Sequence, residues 1–450
     1  MALCGAAALA APAQATDPQW GRWAGERVLG TSLDLQLRGG GDAAAGLAAL
    51  AALDEFARLD AILSTWRGDS EIALLHDKRR LAASPDLYAV ISACEAWRAR
   101  TRGAFHAARG VAAHESGVRL DPPTRSVALE EGVFLDIDAL AKGYAIDRAF
   151  AAARRAAPQA RALLINLGGD MRVWSDPALA PWRLNIADPR ARFDNAPPLQ
   201  SLALHNGALA ASGLGHRSAA APIRDPRKDE IVADVALSAA IAANAMEADA
   251  LATSIAVLGD AQSGALMAEN PNWGGLLVNR AGEARALGAW NGEQVGACQA
   301  GWPDGRRLSI SLEIPERNAA DYKRPYVVVW ITDEARNLVR TLLVLGDEPR
   351  WRENNYIFWR RVERMDAEAI AAMARPTRAP GRYDVVWDGR TETGELAPRG
   401  RYTLNIEASR EHGGHSFVRV PLDLSADRLD LSADAVQELG PTRVAFGRPR

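Results

Sequence analysis

Cysteine is scarce in this chain, and both long apolar runs and an excess of basic charge are lacking. Three cysteines among 450 residues are too few for a fold held together by many disulfides. Cys94 and Cys298 could form one bond, but their wide separation in the sequence is weak evidence for it. The net charge of −3 argues against a general nucleic-acid or anionic-membrane surface. Beyond the N-terminus, no segment is long and apolar enough to cross a bilayer.

The N-terminal segment lacks the basic residues that usually open a signal peptide. It is otherwise apolar and ends in Ala13-Gln14-Ala15, the small-x-small pattern of a signal-peptidase site. We therefore expect residues 1–15 to be a signal segment, which would also remove Cys4, and the protein to be periplasmic or otherwise exported from a bacterium. The alternative is an Ala-rich N-terminal arm.

The length of the chain and a change in its composition predict two domains. A chain of 450 residues exceeds what one hydrophobic core usually serves. Residues 20–297 mix Ala-rich amphipathic segments and strand-like runs without a regular βαβ rhythm, which predicts an α+β fold. Residues 303–424 carry spaced, alternating, β-branched runs, which predict a mainly-β, sandwich-like domain interrupted by one helix near 366–374. Residues 425–450 are predicted to be a polar tail with little core of its own.

One Ala-rich stretch, from about residue 239 to 258 and ending before Gly259, predicts a helix that carries polar groups on an apolar face. Asp249 and Thr253 lie four residues apart, so they share one side of this helix. A carboxylate and a hydroxyl side by side are hard oxygen ligands of the kind that Mg²⁺ prefers. The alternative is that Asp249 caps the helix start while Thr253 bonds to its own backbone.

Two further segments combine strand residues with glycine. Around Lys142-Gly143, strand-like sequence gives way to a helix, and a lysine beside such a turn makes an anion site. A plain strand-to-helix connection is the alternative. The segment Asn166-Leu-Gly-Gly-Asp170 follows an apolar strand, and its glycines permit positive φ angles or a close backbone approach.

These segments, taken in order, resemble the FAD:protein FMN transferases, the ApbE-type flavin transferases. The resemblance covers roughly residues 25–297. It rests on five motifs in the family's order, which are Leu29-Gly-Thr31, Leu63-Ser-Thr-Trp66 with Asp69-Ser-Glu71, Leu135-Asp-Ile-Asp-Ala-Leu-Ala-Lys-Gly-Tyr-Ala-Ile-Asp147, Asn166-Leu-Gly-Gly-Asp170 and Ala248-Asp-Ala-Leu-Ala-Thr253.

The resemblance implies an activity and a set of site residues. The family binds FAD and Mg²⁺, cleaves the pyrophosphate, releases AMP and attaches FMN to a Ser or Thr hydroxyl of an acceptor protein. By position, the Mg²⁺ ligands would be Asp249, Thr253 and the carbonyl of Ala139. Lys142 would contact the phosphates and, with Asp249, serve catalysis. The FAD-contacting positions would be Leu29, Trp66, Ala104, Phe105, His106, Lys142, Ile223 and Asp225.

Three departures from the family pattern affect the site. Phe105-His106-Ala107-Ala108 stands where the family usually has Phe-Asp-Pro-Thr, and His106 could be a compensating base or a surface ring. Asp136-Ile137-Asp138-Ala139 replaces Asp-Leu-Gly-Gly, and Asp138 could add charge near the metal or form a local turn bond. Pro222 occupies a position where histidine is common.

The C-terminal part resembles an exported β-domain of unassigned function that occurs fused to these transferases, through the stretch Trp387–Gly414. We interpret it as a docking module for an exported flavin-acceptor protein, with membrane association only through that partner and no nucleic-acid partner. The alternatives are a non-catalytic FAD-binding protein, an Mg²⁺-dependent FAD pyrophosphatase, and an exported adaptor with a vestigial flavin site.

Overall fold

The computed structural model describes residues 20–191, 193–213, 223–294, 302, 305–317, 322–346, 352–365, 370, 373–375, 377–411 and 413–448. The contacts between residues divide the chain into two units. One consists of the described part of Asp17–Asn185 together with Ser201–Glu293. The other consists of Ile186–Gln200 together with the described part of Gln294–Arg450. The predicted N-terminal domain is thus interrupted, because a short internal segment is grouped with the C-terminal unit.

The first unit is built on an eight-stranded antiparallel sheet in the order β1-β2-β8-β9-β12-β15-β16-β17. Its central strands are short and rich in Ala, Leu and Ile, which suits a sheet whose face is covered by Ala-rich helices. The strands are β1 Trp20–Val28, β2 Thr31–Arg38, β8 Ala162–Leu167, β9 Asp170–Ser175, β12 Asn206–Gly213, β15 Val235–Ala242, β16 Gly274–Asn279 and β17 Ala284–Gly288.

Five helices accompany this sheet in the described residues. They are α1 Gly41–Leu63, α2 Glu71–Lys78, α3 Pro85–Arg100, α4 Asp138–Ala156 and α5 Ala245–Met267. Small residues on α1, α4 and α5 are buried in one hydrophobic core with Leu33, Leu35 and Leu37 of β2. Because alanine side chains are short, these helices pack closely on one another and on the sheet.

The predicted helix that carries Asp249 differs from the structure at its start. Residues 239–242 belong to strand β15, and the helix begins only at Ala245. Its end agrees with the prediction, because Gly259 adopts a non-helical φ of 66° that breaks α5 there, a conformation that glycine adopts without a Cβ penalty. A second, shorter helical piece continues to Met267.

The remaining strands of the first unit and of the segment beside residue 186 form small sheets. The orders are β3-β6-β5, β4-β7, β13-β14 and β10-β11-β18. The bounds are β3 Arg80–Ala82, β4 Ala108–Arg109, β5 Val118–Asp121, β6 Ser126–Leu129, β7 Phe134–Leu135, β10 Trp182–Ala187, β11 Pro198–Leu204, β13 Arg224–Asp225, β14 Glu230–Ile231 and β18 Glu293–Gln294.

The C-terminal unit is a β-sandwich, as the sequence predicts. Two four-stranded antiparallel sheets, β22-β19-β26-β25 and β21-β20-β23-β24, contribute to one apolar core around Trp387. The strands are β19 Arg307–Ile314, β20 Tyr326–Thr332, β21 Leu338–Leu345, β22 Gly381–Trp387, β23 Arg401–Ser409, β24 His415–Asp423, β25 Leu429–Ala433 and β26 Thr442–Gly447.

The polar tail predicted for residues 425–450 is wrong. Strands β25 and β26 lie in this segment, β26 pairs with β19, and Val444 and Phe446 are buried in the sandwich core. The strands are short and separated by polar turns, so their average composition conceals them. The helix predicted near residues 366–374 lies mostly outside the described residues, while a helix, α6, is described at Tyr356–Arg361.

Two other sequence-based expectations concern cysteine and membranes. Cys94 is buried in α3 with a free thiol, and its predicted partner Cys298, like residues 1–15 and Cys4, lies outside the described residues. Among the helices of the described ranges, none has the length and apolarity to cross a membrane.

Candidate active site

Two helices approach closely at Gly143, and this approach organises the candidate site. A Cβ on Gly143 would lie 2.4 Å from the carbonyl oxygen of Ala245 and 2.7 Å from Cα of Met246. The backbone N–H of Gly143 donates to Oδ2 of Asp249 at 3.3 Å. Lys142-Gly143 therefore does not form the strand-to-helix turn that the sequence predicts, because α4 already begins at Asp138.

The start of α5 is held by α4. The backbone N–H groups of Ala245 and Met246 each donate to the carboxylate of Asp147, at 2.9 Å. The Asn244 side chain accepts from the N–H of Glu247 and is the N-cap. Asp249 is thus not the helix cap. Sequence reasoning missed both anchors, although Asn three residues before Glu is a recognisable helix-start signal.

Asp249 is buried beside a second carboxylate, Asp170, which follows the Gly168-Gly169 turn at the start of β9. Burial, and then the charge of Asp170, raise the pKa of Asp249 well above its ordinary value, although Lys142 and the Gly143 N–H oppose this shift. A buried carboxylate near another one resists ionisation because neither water nor a full counter-charge stabilises it. The site therefore has a deficit of positive charge.

Asp170 joins three elements at this point. Its Oδ2 lies 2.7 Å from Nζ of Lys142 on α4, and its Oδ1 accepts from the backbone N–H of Ala211 on β12 at 3.0 Å. Lys142 is thereby fixed at the edge of the site, with about a third of its side chain exposed. The sequence supplied Asp170 as part of a motif without a role, and the signal for one was an acid directly after a Gly-Gly turn.

The other two predicted Mg²⁺ ligands lie on adjacent turns of the same helices. Thr253 follows Asp249 by one turn of α5, and its Oγ1 lies 3.4 Å from Oγ of Ser212 on β12. Ala139 precedes Gly143 by one turn of α4. Within the described part of the chain, no three Asp, Glu, His or Cys side chains are grouped to hold a metal ion, and this donor set would use only one of them.

Asp138, the first residue of α4, binds the turn between α1 and α2. Thr65 donates from Oγ1 to Asp138 Oδ1 at 3.1 Å, and a side-chain hydrogen bond from Trp66 reaches the same carboxylate. Lost hydration and repulsion from Asp136 raise the pKa of Asp138, which these hydrogen bonds oppose. Of the two roles left open for Asp138, the local turn bond is present in the structure.

The predicted FAD-contacting residue Leu29 lies in the hairpin turn between β1 and β2. Its φ of 48° and the 78° of Gly30 are the paired positive values of a tight hairpin turn. Thr31, directly after the turn, packs against Gly168, where a Cβ would come within 2.4 Å of Thr31 Oγ1. This hairpin end thus lies against the glycine turn that leads into Asp170.

The segment Ala104-Phe105-His106 is mainly buried. Ala104 and Phe105 are almost fully inaccessible, and the Phe105 ring lies 6.4 Å from that of Trp97. Nε2 of His106 lies 3.0 Å from the carbonyl oxygen of Glu115, and burial lowers the pKa of the His106 imidazole. Of the two readings left open for His106, the exposed surface ring is wrong.

Ile223 and Asp225 lie beside α5, at the start of a two-stranded ribbon. The carbonyl of Ile223 accepts from the N–H of Val232 at 2.8 Å. Arg227 forms a two-point ion pair with Asp225 at 2.8 and 2.9 Å, which holds the pKa of this carboxyl below its ordinary value. Arg227 also donates to Gln262 of α5 at 3.0 Å. Pro222 lies outside the described residues.

Comparison with solved structures gives related folds at low sequence identity. The chain matches the ApbE protein of Thermotoga maritima MSB8 with 23% identity and a TM-score of 0.52, over 60% of this chain and 97% of that one. It also matches the Pseudomonas stutzeri flavinyl transferase ApbE in its apo form (17%, TM-score 0.49, 62% and 95% covered). The flavin transferase ApbE of Vibrio cholerae is similar at 18% identity and TM-score 0.49, with 60% and 97% covered.

Comparison with families assigns both parts of the chain. No curated protein matches it. Residues 307–441 match a family described as "Predicted periplasmic protein (DUF2271)", in agreement with the resemblance of the C-terminal part to an exported domain of unassigned function. The ApbE family model matches residues 29–278, more than half of the chain. The chain therefore belongs to the ApbE family, whose flavin transferases its sequence resembles.

Proposed function

We propose that the protein transfers FMN from FAD to a Ser or Thr hydroxyl of an exported acceptor protein, in an Mg²⁺-dependent reaction that releases AMP. The observation that carries this proposal is the buried carboxylate of Asp249, which lies beside Asp170 and is only partly compensated by Lys142. A site with unbalanced buried negative charge and a nearby hydroxyl suits a divalent cation with an anionic substrate. Membership of the ApbE family supports the flavin substrate.

The residues present fit a magnesium ion. Asp249, Thr253 and the carbonyl of Ala139 are all hard oxygen donors on adjacent helical turns, which is the chemistry that Mg²⁺ requires. When bound, Mg²⁺ offsets negative charge on phosphoryl oxygens and on a leaving phosphate. The raised pKa of Asp249 shows that the protein alone does not stabilise the ionised carboxylate, so a cation would supply the missing stabilisation.

The remaining residues bind and orient FAD. Lys142, already beside the carboxylates, would hold the phosphates, and Trp66 would present its ring to the nucleotide. The acceptor hydroxyl oxygen forms a bond to the FMN phosphorus while the bond from that phosphorus to the AMP oxygen breaks. AMP leaves, and the hydroxyl proton is released. The description of the C-terminal family as periplasmic supports an exported location and an exported acceptor.

One incubation tests this proposal. The protein is mixed with FAD, Mg²⁺ and a flavin-acceptor protein from the same genome, with and without EDTA, and the acceptor mass and AMP are measured. An FMN-sized mass gain that EDTA abolishes would support the transfer. AMP without a labelled acceptor would point to the pyrophosphatase, and bound FAD that stays intact across several acceptors would point to the non-catalytic binding protein.

A further inference from the structure

Trp66 is held in an unusual way for a large aromatic side chain. Its side chain is 90% exposed, so packing does not fix the ring. The turn that carries it is ordered at its base by Ser70, which caps α2 and donates from Oγ to the carbonyl of Ser64 at 2.8 Å. An indole that leaves its apolar face in water gains nothing from burial, and such a face is suited to a flat partner that covers it.

Asp138 supplies the side-chain contact that orients this turn. It accepts from Thr65 Oγ1 at 3.1 Å, and its carboxylate also takes the side-chain hydrogen bond of Trp66. The only donor of a tryptophan side chain is the indole N–H, so the bond fixes the edge of the ring and leaves its faces open. Asp138 is the first residue of α4, next to Ala139, so the ring is tied to the helix that carries the proposed metal-binding carbonyl.

We propose that Asp138 is a positioning residue that fixes Trp66 as a stacking platform for a flat ring of the dinucleotide, an inference that rests on the proposed function. Asp138 acts here as a hydrogen-bond acceptor, and its negative charge is not required. A charge role toward a bound cation is the competing explanation. The two differ in what an asparagine would do, because Asn keeps an acceptor oxygen and loses the charge.

The test measures the dissociation constant of FAD by quenching of flavin fluorescence, in EDTA so that no metal contributes. We expect Asp138→Ala to weaken FAD binding by roughly three- to tenfold, the equivalent of one net hydrogen bond, and to lower the quenching at saturation. Asp138→Asn should stay within about twofold of wild type, since the acceptor remains. Both variants should unfold at the wild-type temperature because Asp138 is exposed.

Trp66→Phe is the matched control, because it keeps an aromatic ring and removes the N–H. In that background, Asp138→Ala should change FAD affinity by less than about twofold, since contacting residues are coupled. Equal weakening by the Asn and Ala variants, or an unchanged affinity of Asp138→Ala, would overturn the inference. Wild-type protein that binds no FAD would refute the proposed function as well, whereas FAD binding with this variant pattern supports the inference even where transfer fails.

Discussion

Asp249 is the residue on which the proposed chemistry depends most. We expect Asp249→Ala and Asp249→Asn to reduce Mg²⁺-dependent FMN transfer by at least about 100-fold, the scale for removing one preorganised group that stabilises developing charge. Both variants should remain folded, because the native carboxylate is itself poorly stabilised by its surroundings. Transfer rates with acceptor protein, alongside circular dichroism, measure the two effects. Undiminished transfer would remove Asp249 from the metal site.

The same residue gives the metal-free protein a pH dependence with a defined sign. The pKa of Asp249 is raised in the folded state, so this state binds more protons at Asp249 than the unfolded chain. Its contribution to stability is present below about pH 4, the ordinary value for Asp, and is lost as the pH rises through the raised value. In EDTA, the stability of Asp249→Asn relative to wild type should therefore increase with pH. Urea unfolding across this range measures it, and a constant difference would contradict the assigned shift.

Lys142 and Asp170 form the second residue-scale test. Lys142→Met leaves Asp170 and Asp249 without their nearest cation, and we expect a loss of about 1–3 kcal/mol, less than for a fully buried pair because Lys142 is partly exposed. Asp170→Asn keeps the acceptor for the Ala211 N–H and removes the charge. The double variant should therefore recover most of the lost stability. Equal urea-unfolding free energies for the single Lys142→Met and the double variant would show that charge repulsion is not the cause.

Sequence alone gave the position of the candidate site but not its electrostatics. The spacing of Asp249 and Thr253 predicts a shared helix face, and the two side chains do lie one turn apart beside β9 and β12. Asp147 and Asp170 were missed because their roles depend on contacts across about 100 and 30 residues of chain, to Ala245 and Lys142. Local periodicity carries no information about such contacts. The assigned ligand and cofactor roles stay predictions.

At the scale of elements, the crossing of α4 and α5 at Gly143 determines whether the site forms. Gly143→Ala would place a Cβ 2.4 Å from the Ala245 carbonyl oxygen, so the helices must move apart. We expect a loss of about 1–3 kcal/mol in the free energy of unfolding, together with reduced transfer. The reason is that the Gly143 N–H bond to Asp249 would lengthen.

A matched glycine in another helix controls for helix propensity. A Cβ on Gly46, in α1, would meet nothing within 4 Å, so Gly46→Ala should stabilise the protein by about 0.5–1 kcal/mol. Urea unfolding of both variants separates the two effects. If Gly143→Ala were also stabilising, the close approach of the helices would not be a feature of the protein in solution.

Element boundaries were predicted well where local signals were strong and poorly where tertiary contacts prevailed. Ser84 and Pro85 are strong helix-start signals, and α3 begins there with the Ser84 side chain as its cap. Residues 239–242 are Ala-rich and suit a helix, yet they form a central strand because β12 and β16 pair with them on both sides. Neighbouring strands thus override intrinsic helix propensity.

At the scale of the whole molecule, the C-terminal unit recruits residues that lie outside its linear range. Asn195 exchanges hydrogen bonds with the backbone of Val386 on β22, accepting from its N–H at 2.9 Å and donating to its carbonyl at 2.6 Å. Asp194 pairs with the backbone of Asp384 in the same way. Composition could not reveal this, because such a segment looks like an ordinary loop between two strands of the preceding domain.

The end of the chain provides the test of this unit as one cooperative fold. A chain that stops after Leu424 would lose β25 and β26, which leaves one edge of β19 unpaired and removes Val444 and Phe446 from the core. Loss of one buried Phe side chain alone typically costs about 3–5 kcal/mol, a large part of the 5–15 kcal/mol that holds a domain together. We therefore expect the sandwich of this variant to be unfolded and rapidly cleaved by trypsin.

A chain that stops after Arg448 is the control for this truncation, and it should resist trypsin as the full chain does because it retains both strands. Equal resistance of the two truncated chains would show that β25 and β26 are dispensable. The result also decides how partner binding must be tested. If residues 425–448 complete the sandwich, then a fragment of residues 303–424 that fails to bind an acceptor says nothing about docking, because that fragment lacks two strands of the fold that would dock.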